Sequence, residues 1–95
     1  MFYSKLGGFI PENKQKEFEQ TYRFALTRFP KACIDYSITR DALDQNVFQI
    51  TTYWVNPDSL NSFIKSETYM MLTGAFHTLG KLQEQLKGEM YPEGT

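Results

Sequence analysis

The chain is poor in the residues on which most chemistry and most anchoring depend. Among its 95 residues there is one cysteine, Cys33, and one histidine, His77. A single thiol forms no internal disulfide, so a reduced, cytoplasmic setting is expected. One His and one Cys cannot furnish a conventional zinc site either, and no metal is expected. Charge of one sign is also scarce: ten Lys and Arg stand against eleven Asp and Glu, a net charge of −1, with no block of like charge. Without a basic stripe to neutralise phosphates, no nucleic-acid partner is expected. No apolar run approaches the roughly 20 residues that span a bilayer. The start, Met1–Gly8, has neither the basic region nor the long apolar core of a signal peptide. A soluble protein without a membrane partner follows. Glycine patterns that cradle phosphates or dinucleotides are missing as well, and Gly7-Gly8 lacks the spacing for either.

Aromatic residues are abundant. Eight Phe, six Tyr and one Trp make 16% of the chain. A small domain buries only a modest fraction of its apolar surface, so this many rings must pack tightly, line a pocket, or lie against a partner. No linker, repeat or low-complexity segment divides the sequence, and one domain, residues 1–95, is expected.

The order of elements reads β-α-β-β-α-β. Phe2–Ile10 suits a strand, in which Gly7-Gly8 permits a close backbone approach or a bulge. Pro11 opens a helix whose apolar positions Phe18, Tyr22, Ala25, Leu26 and Phe29 share one face; Pro30 ends it. Ala32–Arg40 alternates, with Ile34, Tyr36 and Ile38 on one side and Cys33, Asp35, Ser37 and Thr39 on the other. A turn at Asp41–Asn46 returns the chain as Val47–Trp54, whose apolar face is Phe48, Ile50, Thr52 and Trp54. Asn56-Pro57-Asp58 starts the second helical stretch. It carries Leu60, Phe63 and Ile64, is interrupted at Ser66, and resumes through Tyr69, Leu72, Ala75, Phe76, Leu79 and Leu82. Gly80 and Gly88 are candidate stops, and residues 85–91 can supply a short last strand. The fold class is α+β: a ferredoxin-like antiparallel sheet with two helices on one face.

Chemistry-bearing side chains gather, on this reading, between the sheet and the second helix. Tyr36 and Trp54 sit on helix-facing strand positions. Thr73 and His77 share a helical face one turn apart, and Tyr69 begins the preceding turn. Together they suggest either a pocket lined by rings for a small planar ligand, or core rings at Tyr36, Trp54 and Tyr69 whose polar ends reach solvent, with His77 an exposed helix residue. Strand parity places Cys33 on the opposite face, which argues against a Cys33–His77 nucleophilic pair.

Three pieces of sequence, Cys33-x-x-Tyr36, Tyr53-Trp54 and Phe63-x-x-Ser66-x-x-Tyr69, resemble the antibiotic biosynthesis monooxygenase family. The resemblance implies a homodimer that pairs sheet against sheet as a dimeric α+β barrel. It also implies a cofactor-independent monooxygenase acting on a small phenol or hydroquinone. In that role His77 would be the base, and Tyr36, Trp54, Tyr69 and Thr73 would bind the substrate. No cofactor is expected. Relatives often carry Glu two residues before the Trp and His three before the helix Ser; here those positions are Thr52 and Phe63. The haem-degrading branch places an axial His where this chain has Thr73. The alternative is a non-catalytic protein of the same fold that binds a small molecule.

Overall fold

The computed structural model describes residues 1–91. The elements are β1 (Phe2–Phe9), a 3-10 turn (Glu12–Lys14), α1 (Gln15–Leu26), β2 (Cys33–Arg40), β3 (Val47–Trp54), α2 (Pro57–Ile64), α3 (Glu67–Leu79) and β4 (Lys81–Glu89). Residues 92–95 lie outside the described residues.

Strand β3 shows why the sheet has one covered face. Its Phe48, Ile50, Thr52 and Trp54 are buried, while Val47, Gln49, Thr51 and Tyr53 are partly exposed, the two-residue period of a strand packed on one side. Leu6 of β1 pairs with Ile50, and Phe2 with Trp54. The helices cover this face with Phe18, Ala25, Leu60, Phe63, Tyr69, Leu72, Ala75 and Phe76, which complete the core. Ferredoxin-like β-α-β-β-α-β topology with the helices on one face is therefore present.

The barrel expectation is corrected. The sheet order is β2-β3-β1-β4, and all three neighbouring pairs are antiparallel. β2 and β4 stand at opposite edges and do not pair. Even small closed barrels take roughly eight tilted and staggered strands, and four strands covered on one side only remain an open sheet.

The second helical stretch is two helices rather than one. Asn56 caps α2, its Oδ1 accepting from the Ser59 amide at 2.9 Å, with Pro57 at the first helical position. Ser66 then makes the break: its hydroxyl donates to the Phe63 carbonyl at 2.6 Å and accepts from the Tyr69 amide at 3.2 Å. One side chain thus closes α2 and caps α3. The last strand begins earlier than residues 85–91, because Gly80 ends α3 directly against the Phe9 carbonyl and the chain enters β4 at once. Leu82, read as part of the helical stripe, pairs across from Gly8 in β4. Gly88 lies within that strand and stops nothing. Gly8 is the close approach anticipated in β1, since a Cβ there would meet the Lys81 carbonyl and the Phe76 ring. The β1–β4 register shifts at Gly7/Gly8, where Gln83 is the extra residue.

A second bulge overturns the parity assigned to the start of β2. Cys33 pairs with Trp54 and Asp35 with Tyr53, so Ile34 is the extra residue. Ile34 turns outward, 46% exposed, and Cys33 moves to the helix side, where it packs against the core. Beyond the bulge Tyr36 pairs with Thr52 and Ile38 with Ile50, as the alternation required.

Candidate functional site

Phe63 of α2 is the centre of an aromatic cluster that joins three elements and a loop. Its ring lies 4.9 Å from Trp54, 5.2 Å from Phe29 and 5.5 Å from Tyr69, measured between centroids. Tyr36 reaches the cluster edge-on through Phe29 at 5.6 Å. Edge and tilted contacts of this kind are favoured by the ring quadrupole. Trp54, 0% exposed, donates its indole N–H to Thr52 Oγ1 at 2.8 Å, and Thr52 Oγ1 lies 2.5 Å from Ser4 Oγ. Two hydroxyls side by side can pass one proton between them while the indole fills the remaining lone pair. This buried triad is fully partnered.

A cleft of about 420 Å³ ends against Trp54 and Phe63. One wall comes from the segment after α1, through Arg28, Pro30 and Ala32; the other comes from α2 and the start of α3, through Asp58, Ser59, Ser62, Ser66 and Thr68. Ser59 and Ser62, three residues apart in α2, share one helical face, and Ser66 follows at the break before α3. Arg28 and Asp58 are the ionisable side chains of the lining. The guanidinium of Arg28 stacks on Phe24 at 4.9 Å.

The structure brings Trp54, Tyr36 and Tyr69 into one cluster but does not bring Thr73 and His77 to it. Tyr36 sits on the edge strand, 46% exposed. Tyr69 is buried, its hydroxyl accepting from Gln85 Nε2 at 3.0 Å. Burial pushes its phenol above the ordinary value, and the Gln85 bond pulls partly back. Tyr69 lines a separate, smaller cleft with Ile64, Gln85 and Lys87. Thr73 donates to the Met70 carbonyl at 3.1 Å. His77 is exposed in the last turn of α3. It follows Phe76, which packs on Phe18 and beside Gly8, at the far end of β1 and β3 from Trp54. His77 is not part of the linings of the Trp54 and Tyr69 clefts.

Cys33 is on the helix side after all, yet it forms no pair with His77. Its Sγ–H donates to the Asp35 carbonyl at 3.2 Å, and burial pushes its thiol above the ordinary value. Sequence reasoning missed Arg28, Asp58, Ser59, Ser62 and Thr68; the Ser59-x-x-Ser62 pair just before the Ser66 break was the available signal. Among the described residues no three of His, Cys, Asp and Glu form a group able to hold a metal ion.

The open face of the sheet carries the second large concavity, about 530 Å³, lined among others by Tyr3, Lys5, Gln49, Thr51, Tyr53 and Leu86. It is a mixed surface, neither apolar core nor fully polar. Among the described residues no helix is long and apolar enough to cross a membrane.

Comparison with known proteins relates the chain to others by fold. No family model matches the sequence, and no curated protein does. Solved structures match over nearly the whole length. One named a "putative antibiotic biosynthesis monooxygenase" from Deinococcus radiodurans has a TM-score of 0.76 at 17% identity, covering 100% of this chain and 96% of that one. Another so named, from Chloroflexus aurantiacus J-10-fl, has a TM-score of 0.72 at 14% identity, covering 99% and 96%. A conserved protein from Methanosarcina mazei Go1 has a TM-score of 0.74 at 16% identity, covering 92% and 87%. At these identities the likeness is one of fold. The membership read from the sequence motifs is accordingly narrowed: fold is shared with structures of that name, and the closed barrel is not present.

Proposed function

We propose that this chain binds a small planar aromatic molecule in the cleft that ends at Trp54 and Phe63. The observation that carries the reading is the meeting, at one cleft, of an aromatic cluster with a rim of hydroxyls. Rings supply apolar contact without directional demand, and the hydroxyls orient a polar substituent. A cleft of about 420 Å³ suits a ligand of one to three fused rings. Isothermal titration with 2-naphthol tests this: one saturable site per chain is expected, and absence of heat at millimolar ligand contradicts it.

The shared fold favours a second reading, in which the bound molecule is a phenol and is oxygenated. The balance needs no cofactor. One atom of dioxygen enters the ring, the other leaves as water, and the substrate, ending as a quinone, supplies all four electrons. A base must take the phenolic proton first. Oxygen uptake with hydroquinones or polycyclic phenols tests for turnover, and His77→Ala tests the base. With His77 exposed and away from the cleft, an unchanged rate is expected, whereas a base directly engaged in the reaction would give a loss of about 10²–10⁴-fold.

Assembly belongs to the same reading. We infer a homodimer through the open sheet face, where exposed Leu86 and Met90 lie beside Tyr3, Thr51 and Tyr53. Apolar side chains around a mixed face suit a partner that covers them. Light scattering at micromolar concentration should give twice the chain mass; a monomer mass contradicts the inference.

A further inference from the structure

We propose that the cleft selects aromatic ligands bearing a carboxylate, held between Arg28 and the first turn of α3. This rests on the aromatic-binding reading above and names the ligand class for the same site. Arg28 lines the cleft and has no carboxylate within ion-pair distance among the described residues; the ion pairs there use Lys5, Lys14 and Arg23. Its stacking on Phe24 engages the face of the guanidinium and leaves the N–H fork available for a planar, two-oxygen acceptor.

The opposite wall also lacks an acceptor. Thr68 is only 9% exposed and lines the cleft; its hydroxyl makes no hydrogen bond among the described residues and keeps its access to solvent there. Thr68 is the second residue of the 13-residue α3, beside the positive end of the helix dipole. The Ser66 cap serves the Tyr69 amide, so the amides of Glu67 and Thr68 have no side-chain cap. A carboxylate would meet a guanidinium on one side and a hydroxyl with a helix start on the other. Two acidic groups work against it: Asp58 on the α2 rim and Glu67 in the same turn as Thr68, both exposed to solvent, where their repulsion is screened.

The test is isothermal titration of the full chain, at low ionic strength, with 2-naphthoate and with its neutral analogue 2-naphthamide. Naphthoate should bind at least about fivefold tighter, as a charge-assisted contact exceeds a neutral one. Arg28→Gln should bring the two ligands within about twofold of each other, since only the charge preference is removed. Asp58→Asn should widen the preference, because it removes the opposing charge. Thr68→Val, equal in shape but without the hydroxyl, should weaken naphthoate. Equal affinity for both ligands in the unaltered protein overturns the carboxylate assignment and leaves aromatic binding standing. A preference that survives Arg28→Gln overturns it too, and a naphthoate affinity unmoved by Thr68→Val removes the α3 half. If neither ligand binds, the cleft reading falls with it.

Discussion

Gly80→Ala should unfold the protein or bring it close to unfolding, whereas Gly74→Ala should leave it at least as stable. Gly80 has φ −165°, an extended backbone that any residue adopts, so its requirement is space. A Cβ there would run into the carbonyl of Phe9, with Ile10 Cα also at 3.1 Å. The obstacle is backbone that is itself engaged, because the Ile10 amide donates to the Asn46 carbonyl at 2.7 Å. Relief therefore requires parting α3 and β4 from the end of β1. A cost above about 3 kcal/mol is expected, against a total stability of roughly 5–15 kcal/mol for a domain. Gly74 differs: it lies within α3 and nothing stands within 4 Å of its Cβ position. There alanine should gain about 0.5–1 kcal/mol through helix propensity. Urea denaturation of the two variants beside the unaltered protein measures both signs.

Trp54→Ala should cost about 3–5 kcal/mol, the usual range for a large ring removed from a packed core. It should also abolish aromatic binding. The ring is fully buried, is in contact with Phe63, and pairs across the sheet with Phe2 and Cys33. Trp54→Phe separates packing from hydrogen bonding. It keeps an aromatic face and loses the indole donor, but Thr52 and Ser4 remain partnered by each other, so no buried group is orphaned. A loss of about 1–2 kcal/mol is expected for this change, with binding retained though weakened. Equal losses for Ala and Phe would show that the ring's packing matters less than its N–H.

Much of the fold could be read from periodicity. The strands β1 and β3, the amphipathic face of α1, the Asn56-Pro57 start of α2 and the interruption at Ser66 all lie where hydrophobic spacing and capping chemistry place them. Departures arise where a single residue changes the count. The Ile34 bulge reverses the side assigned to Cys33 and Ile34 while leaving Tyr36 and Ile38 in place, and alternation alone cannot register an inserted residue. Leu82 continues a helical spacing, yet the close approach of Gly80 to Phe9 turns the chain into β4 before that residue.

The site was legible in part for a related reason. Tyr36, Trp54 and Tyr69 were placed on the covered side of the sheet, and Phe63 joins them into one cluster. Thr73 and His77 share a helical face, but sharing a face does not fix how far along the sheet it lies. α3 runs from the Trp54 end, where Tyr69 meets Phe63, toward Gly8 and Phe18. That carries His77 away from the rings. Arg28 and Thr68 were invisible as site residues because the loop after α1 meets α3 only in the folded chain.

The cleft reading stands most directly on a titration followed by the Trp54 indole N–H. The chain has one tryptophan, so a ¹H–¹⁵N spectrum holds a single indole peak, belonging to the end of the cleft. Added 2-naphthol should move that peak along a saturating curve, with the backbone amides of Phe63, Ser66 and Thr68 following the same curve and that of His77 unmoved. An indole peak that stays fixed while 2-naphthol binds elsewhere, or shifts confined to the open face of the sheet, would contradict a ligand site at Trp54 and Phe63.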